Sequence, residues 1–229
     1  MGRTETVMPE TPLRTEQFMY EFMGKVLAAF SHEIQNHIAT IHEIAGIQGD
    51  MIARGRSLDD KQIGRYLTMT NRHVGSSLRL IGFLNRYAHR LDEEIASFSV
   101  NDVLEELLAL TGRLFRQKGI TVQTAFHGGP CEIRSRALFL QSLVFAILER
   151  KINSFAEEGT IIVRTDSPVK GEVRIDIDFT GIIEDGRGEP CPIEDAAITS
   201  LADLLSVTLA MTADGRRVSL HVPSQDRQA

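Results

Sequence analysis

Apolar positions in the first hundred residues recur at helical spacing. Met23, Leu27, Phe30, Ile34, Ile38, Ile41 and Ala45 follow one another in steps of three and four, which predicts one long amphipathic helix over residues 16–53. Gly55 and Arg56 break that pattern, and Ser57 with Asp60 three places on is a capping-box signal for a second helix. In that helix Ile63, Leu67, Thr70, Val74, Ser77, Ile81, Leu84, Ala88 and Leu91 alternate in steps of four and three, a heptad seam with two polar positions. Two such helices joined by a short turn form an antiparallel hairpin. One hairpin offers too little partner surface to cover both seams, so a homodimer closing into a four-helix bundle is expected.

Beyond residue 96 the periodicity changes. Ser99 and Asp102 repeat the capping signal, and Val103, Leu104, Leu107, Leu108, Leu110 and Leu114 predict a helix ending near Gly119. Alternation over residues 119–126 predicts a strand, and 131–133 a short one. A helix over 135–156 follows, then two hairpin-linked strands at 160–165 and 172–179, a helix over 193–211 and a strand over 217–222. The fold class is therefore α+β, with a disordered leader at 1–15, a helical hairpin at 16–96 and an α/β domain at 97–229.

The candidate chemistry lies in the first helix. His32 falls off the apolar stripe, so its ring should reach solvent, and Asn36 lies one turn along the same line. A solvent-facing neutral imidazole is a usable nucleophile. A lone helical histidine is ordinarily a surface or capping residue, but the frame around this one is informative. Phe30-Ser31-His32-Glu33-Ile34-Gln35-Asn36-His37 resembles the phosphoacceptor box of two-component histidine kinases, commonly Phe-Ser-His-Glu-Ile-Arg-Asn-Pro. The resemblance implies that His32 is the phosphoacceptor. It implies that Glu33 orients the ring or accepts its proton, and that Asn36 positions a water for dephosphorylating a response regulator. It also implies a homodimer. His37 stands where the family usually has proline, whose absence predicts a straighter helix.

The element order beyond residue 96 resembles the ATP-binding domain of the same family, but the nucleotide-holding residues differ. Arg150 falls at or near the position of an Asn that helps hold magnesium and phosphates. Phe179 falls where an Asp that recognises adenine is expected, with Asp178 one place off. In place of a glycine-rich lid, residues 184–195 hold Gly186 and Gly188 among two prolines and five acids, which would repel a triphosphate. The second domain is thus expected to be a degenerate kinase-type ATP-binding α/β sandwich that binds no cofactor. Keeping the histidine without the nucleotide site resembles the dimeric histidine phosphotransferases of bacterial phosphorelays. Such a protein exchanges a phosphoryl group with receiver-domain aspartates, the receiver supplying its own Mg2+ and lysine.

Composition narrows the partners. A formal net charge of −6 argues against a general nucleic-acid binder. No apolar run approaches the roughly 20 residues of a membrane span, and the first 14 residues lack a signal-peptide core, so a cytoplasmic location is expected. Cys131 and Cys191 are too few for a disulfide framework. His32, His37 and His42 diverge around the helix, so no metal site is expected on it. Arg65, Arg72, Arg79 and Arg86 recur once per heptad on a water-facing line. Such a row is ordinarily a solvated face. The sharper expectation is a docking rail on which Arg65, Arg72 and Arg79, with Gln35, meet an acidic receiver.

Four functional readings stand at this level. Phosphotransfer through His32 leads. A response-regulator phosphatase would use Asn36 and Gln35 to place water. A non-catalytic dimeric adaptor would need neither residue, and a divergent kinase would bind ATP.

Overall fold

The computed structural model describes residues 10–153, 155–183 and 195–225. Two long helices, α1 (Glu10–Ala53) and α2 (Asp60–His89), precede β1 (Ala96–Ser99), α3 (Val100–Arg116), β2 (Ile120–Ala125), β3 (Glu132–Ser135) and α4 (Ala137–Asn153). Then come β4 (Phe155–Val169), β5 (Glu172–Ile183), α5 (Ala196–Leu205), β6 (Thr208–Met211) and β7 (Arg217–Pro223). β1 and β3 pair in a small antiparallel sheet. The main sheet has the order β2-β4-β5-β7-β6, with β2 and β4 parallel and the other pairs antiparallel. The α+β class expected from the sequence is the class observed.

Alternation along the strands fixes which sheet face is buried. Val173, Ile175, Ile177 and Phe179 of β5 point into the core with Ile161 and Val163 of β4 and Val218, Leu220 and Val222 of β7. α4 is apolar almost all round and is buried on nearly every side, with Leu140, Leu143, Ile147 and Leu148 at zero exposure. The other sheet face is a lattice of charges, in which Arg174 meets Asp166 at 2.9 Å and Asp176 at 3.2 Å.

The hairpin joins this core at one end. Phe22 of α1 is fully buried, with its ring centroid 4.8 Å from Phe145 of α4 and 6.0 Å from Tyr87 of α2. Burying a side chain such as Phe22 or Phe83 contributes about 1.5–3 kcal/mol. The ladder of contacts then climbs the hairpin to His37 opposite His73, which sets the antiparallel register of α1 on α2.

Four local expectations are corrected. α1 begins at Glu10, so residues 10–15 are helical rather than leader, and Thr15 is buried with its hydroxyl donating to Ser200 Oγ at 3.0 Å. Pro12 sits in the first turn, where its missing N–H removes no intrahelical bond. Residues 1–9 of the expected leader lie outside the described residues. The α2 cap is Asp59, not Ser57: Asp59 accepts from the Gln62 N–H at 2.7 Å, and the Gln62 side chain accepts from the Asp59 N–H. Gln62 can return that bond, whereas an acid at Asp60 would sit on a shorter stem.

α5 stops at Leu205, because Ser206 turns left-handed (φ 55°). The Val207 N–H then reaches back to the Ala202 carbonyl at 2.8 Å in a Schellman closure. The chain continues as β6 where helix was expected to 211. β1 was not foreseen either. Its four residues owe their strand conformation to pairing with β3.

Candidate functional site

His32, Gln35 and Asn36 are all exposed on α1. The helix runs unbroken through the box. Glu33 is turned the other way. It is half-buried, and its Oε1 accepts a hydrogen bond from Arg116 Nη2, at the end of α3, at 2.8 Å. The box acid therefore faces the second region of the molecule while the imidazole beside it faces water.

One turn after Glu33, the residue in the usual proline position makes an interhelical contact. His37 Nδ1 lies 3.0 Å from His73 Nδ1 of α2, so one ring donates and the other accepts. Burial holds the His37 imidazole below its ordinary value; Glu33 pulls it up, and His73 and Arg116 push it down. No spacing signal in the sequence points to this pair, because its members lie on different helices 36 residues apart.

Arg65, Arg72 and Arg79 are exposed and pair with no carboxylate among the described residues. Arg86, the fourth of the row, is structural. It lies over the Phe83 ring at 4.8 Å and approaches Glu106 at 3.5 Å. Glu106 has no solvent exposure and is gripped by Arg90 through Nε at 2.9 Å and Nη2 at 3.2 Å, and by Gln141 Nε2 at 2.8 Å. One carboxylate thus joins the end of α2 to α3 and α4. Burial, and then Glu106, raise the neighbouring Tyr87 phenol above its ordinary range.

Both long helices carry a second apolar line that their own hairpin leaves uncovered. On α1 it includes Tyr20, Leu27, Ile38 and Ile52; on α2, Ile63, Leu67, Val74, Leu78 and Ile81. The inward line is different: Phe22, Val26, Ala29 and Ile44 on α1, and Leu80, Phe83 and Tyr87 on α2. Of the seam residues read from the sequence, Leu27, Ile38, Ile63, Leu67, Val74 and Ile81 belong to the outward line, whereas Met23, Phe30 and Leu84 pack against the core.

At the positions where the family resemblance places nucleotide ligands, the side chains are otherwise engaged. Phe179 is 2% exposed and packs in the core, with the buried Lys151 Nζ 5.9 Å from its ring centroid. Asp178 lies on the charged sheet face between Arg164 and Arg217. Arg150 pairs with Asp195, whose carboxylate caps α5 through the Ala197 N–H at 2.9 Å. The lid positions 184–194 lie outside the described residues. Among the described residues no helix is long and apolar enough to cross a membrane.

No protein-family model matches the chain, and no curated protein matches it. Solved structures similar to it include histidine kinases. The Acinetobacter baumannii histidine kinase AdeS is 12% identical, over 85% of this chain and 98% of that one, with a TM-score of 0.48. The histidine kinase ThkA in complex with the response regulator TrrA is 15% identical, over 98% and 70%, with a TM-score of 0.48. A histidine kinase from Burkholderia phymatum is 10% identical, over 92% and 97%, with a TM-score of 0.45.

Proposed function

We propose that this chain is a homodimeric histidine phosphotransferase of the two-component type, passing a phosphoryl group between receiver aspartates through His32 without binding ATP. The observation that carries this reading is the exposed His32 imidazole on α1. In the proposed step the neutral ring nitrogen attacks the phosphorus of a receiver aspartyl phosphate. An N–P bond forms, the acyl O–P bond breaks, and the aspartate leaves as carboxylate. The ring takes up positive charge, and the reverse step hands the group to a second receiver. The receiver's Mg2+ offsets the phosphoryl charge, so this chain supplies the nucleophile and the docking face. Arg65, Arg72 and Arg79 with Gln35 would form that face against an acidic partner.

The absence of ATP binding is supported by Phe179 in the core, by Asp178 between two arginines and by Arg150 paired with Asp195. A second reading is favoured by one observation. With Glu33 held by Arg116, the acid nearest His32 is not at the ring, while Asn36 is free to hold a water, as in a receiver phosphatase.

Incubation with phosphorylated receivers separates these readings. His32→Ala should abolish acid-labile phosphohistidine and transfer between receivers, and Asn36→Ala should spare transfer and slow any dephosphorylation of the receiver. Transfer surviving in His32→Ala would end the phosphotransferase reading. Wild-type behaviour in both variants would leave the adaptor, and micromolar binding of magnesium ATP in calorimetry would restore the kinase.

A further inference from the structure

We propose that His37 and His73 form a binding site for a divalent transition-metal ion of the class imidazole suits, such as Cu2+, Ni2+ or Zn2+, clasping α1 to α2. The two Nδ1 atoms already face each other 3.0 Å apart, with ring centroids 5.2 Å apart. Metal–imidazole bonds of about 2.0–2.1 Å set two nitrogens on one ion about 2.9–3.4 Å apart, from square-planar cis to tetrahedral geometry. The observed spacing lies within that window, so the two nitrogens need not change their separation to admit an ion.

The present contact is a shared proton: one ring N–H donates to the other ring's lone pair. A metal replaces that hydrogen bond: the donating ring shifts its proton from Nδ1 to Nε2 by exchange with water, and each neutral ring then gives the ion its Nδ1 lone pair, with no net proton released. Both rings are only partly buried, so water can fill the remaining positions on the ion. Among the described residues no group of three His, Cys, Asp or Glu gathers anywhere, which makes this a two-imidazole site completed by solvent. The charged side chains that act on His37 are Glu33 on α1 and Arg116 on α3, and they are already paired with each other. An ion between the rings therefore meets no uncompensated cation. Affinity should follow the usual divalent order, with Cu2+ tightest.

This site is independent of phosphoryl transfer, and its test does not require it. The full chain is titrated with CuCl2, then with ZnCl2, in a non-coordinating buffer near pH 7.5, by calorimetry. Frozen-solution electron paramagnetic resonance of the copper form counts bound nitrogens. One ion per chain and a two-imidazole signal are expected. His37→Gln and His73→Gln should each weaken binding at least tenfold and leave a one-imidazole signal, while His42→Gln, at an exposed histidine away from the pair, should change neither. The metal should raise the thermal midpoint of the wild type and not that of His73→Gln. Far-UV circular dichroism verifies that each variant is folded. Binding within twofold of wild type in a folded His73→Gln overturns the proposal. So does a wild-type signal with fewer than two imidazoles, which decides the matter even where a variant fails to fold.

Discussion

Two helices of this molecule, α4 and α2, solve the same problem to different degrees. α4 has 17 residues, and 13 of them are buried, with its apolar positions covered by the sheet, α3 and α5. α2 has 30 residues, and only Leu80, Phe83 and Tyr87 are buried. Those three lie at the end that meets the second region. The outward face of the same helix displays Leu67, Val74, Leu78 and Ile81 to solvent. The contrast teaches that the sheet-bearing region is complete within one chain, while the hairpin carries apolar surface beyond what its own chain covers, which is the physical support for a second copy.

Four measurements would sharpen or break that contrast. The largest effect is expected where the two regions share a core. Phe145→Ala should cost about 3–5 kcal/mol in urea denaturation, because its ring is 1% exposed and stacked on Phe22. Both regions should still unfold in one transition; two separate transitions would show that the hairpin stands apart from the core.

A smaller but more selective effect is expected at the uncovered face. Ile81 is 41% exposed within one chain, so Ile81→Asp should leave single-chain stability within about 0.5 kcal/mol. In a dimer the same carboxylate would be buried without a partner, raising the dissociation constant at least about a hundredfold. Light scattering reading one chain mass for wild type at micromolar concentration would refute the dimer outright.

Third comes the arginine row. Reversing the charge of two among Arg65, Arg72 and Arg79 should slow association with a receiver about tenfold at low salt, with the difference shrinking as salt is added. An unchanged on-rate would return the row to a merely solvated face.

The smallest effect concerns His37. Its folded-state value is depressed, first by burial, so the unfolded chain binds this proton more readily than the folded one. Stability should therefore be full above about pH 6.5, fall as pH drops through the depressed folded value, and then level off. Urea midpoints at pH 7.5 and 5.5, with a chelator present, should differ less in His37→Gln than in wild type. Equal slopes would remove His37 from the acid response.

The sequence told a good deal about elements and less about their neighbours. Heptad spacing disclosed α1 and α2, but it could not say which apolar line faced inward, because both helices carry two. Phe22 and Val26 make the inner contacts, yet Leu27 fitted the three-and-four pattern equally well. Exposure of His32 was legible from its place off the stripe. The engagement of Glu33 by Arg116 was not, since 83 residues separate them. His37 was noticed as a missing proline and as one of three histidines that diverge around α1. Its partner His73 lay on another helix, outside the reach of any single-helix spacing test. β1 and β6 have four residues each and weak alternation, so only pairing with β3 and β7 makes them strands.

The buried Glu106 carboxylate has a kinetic consequence. It fastens the end of α2 to α3 and α4, and the Phe22–Phe145 stack fastens α1 to the same body. With both arms of the hairpin anchored this way, no swinging of one region over the other is needed to uncover His32. Under the proposed phosphotransfer, exchange with a receiver should then follow simple second-order kinetics, proportional to receiver concentration and without a lag. Throughput would be limited by encounter and chemistry rather than by a gate.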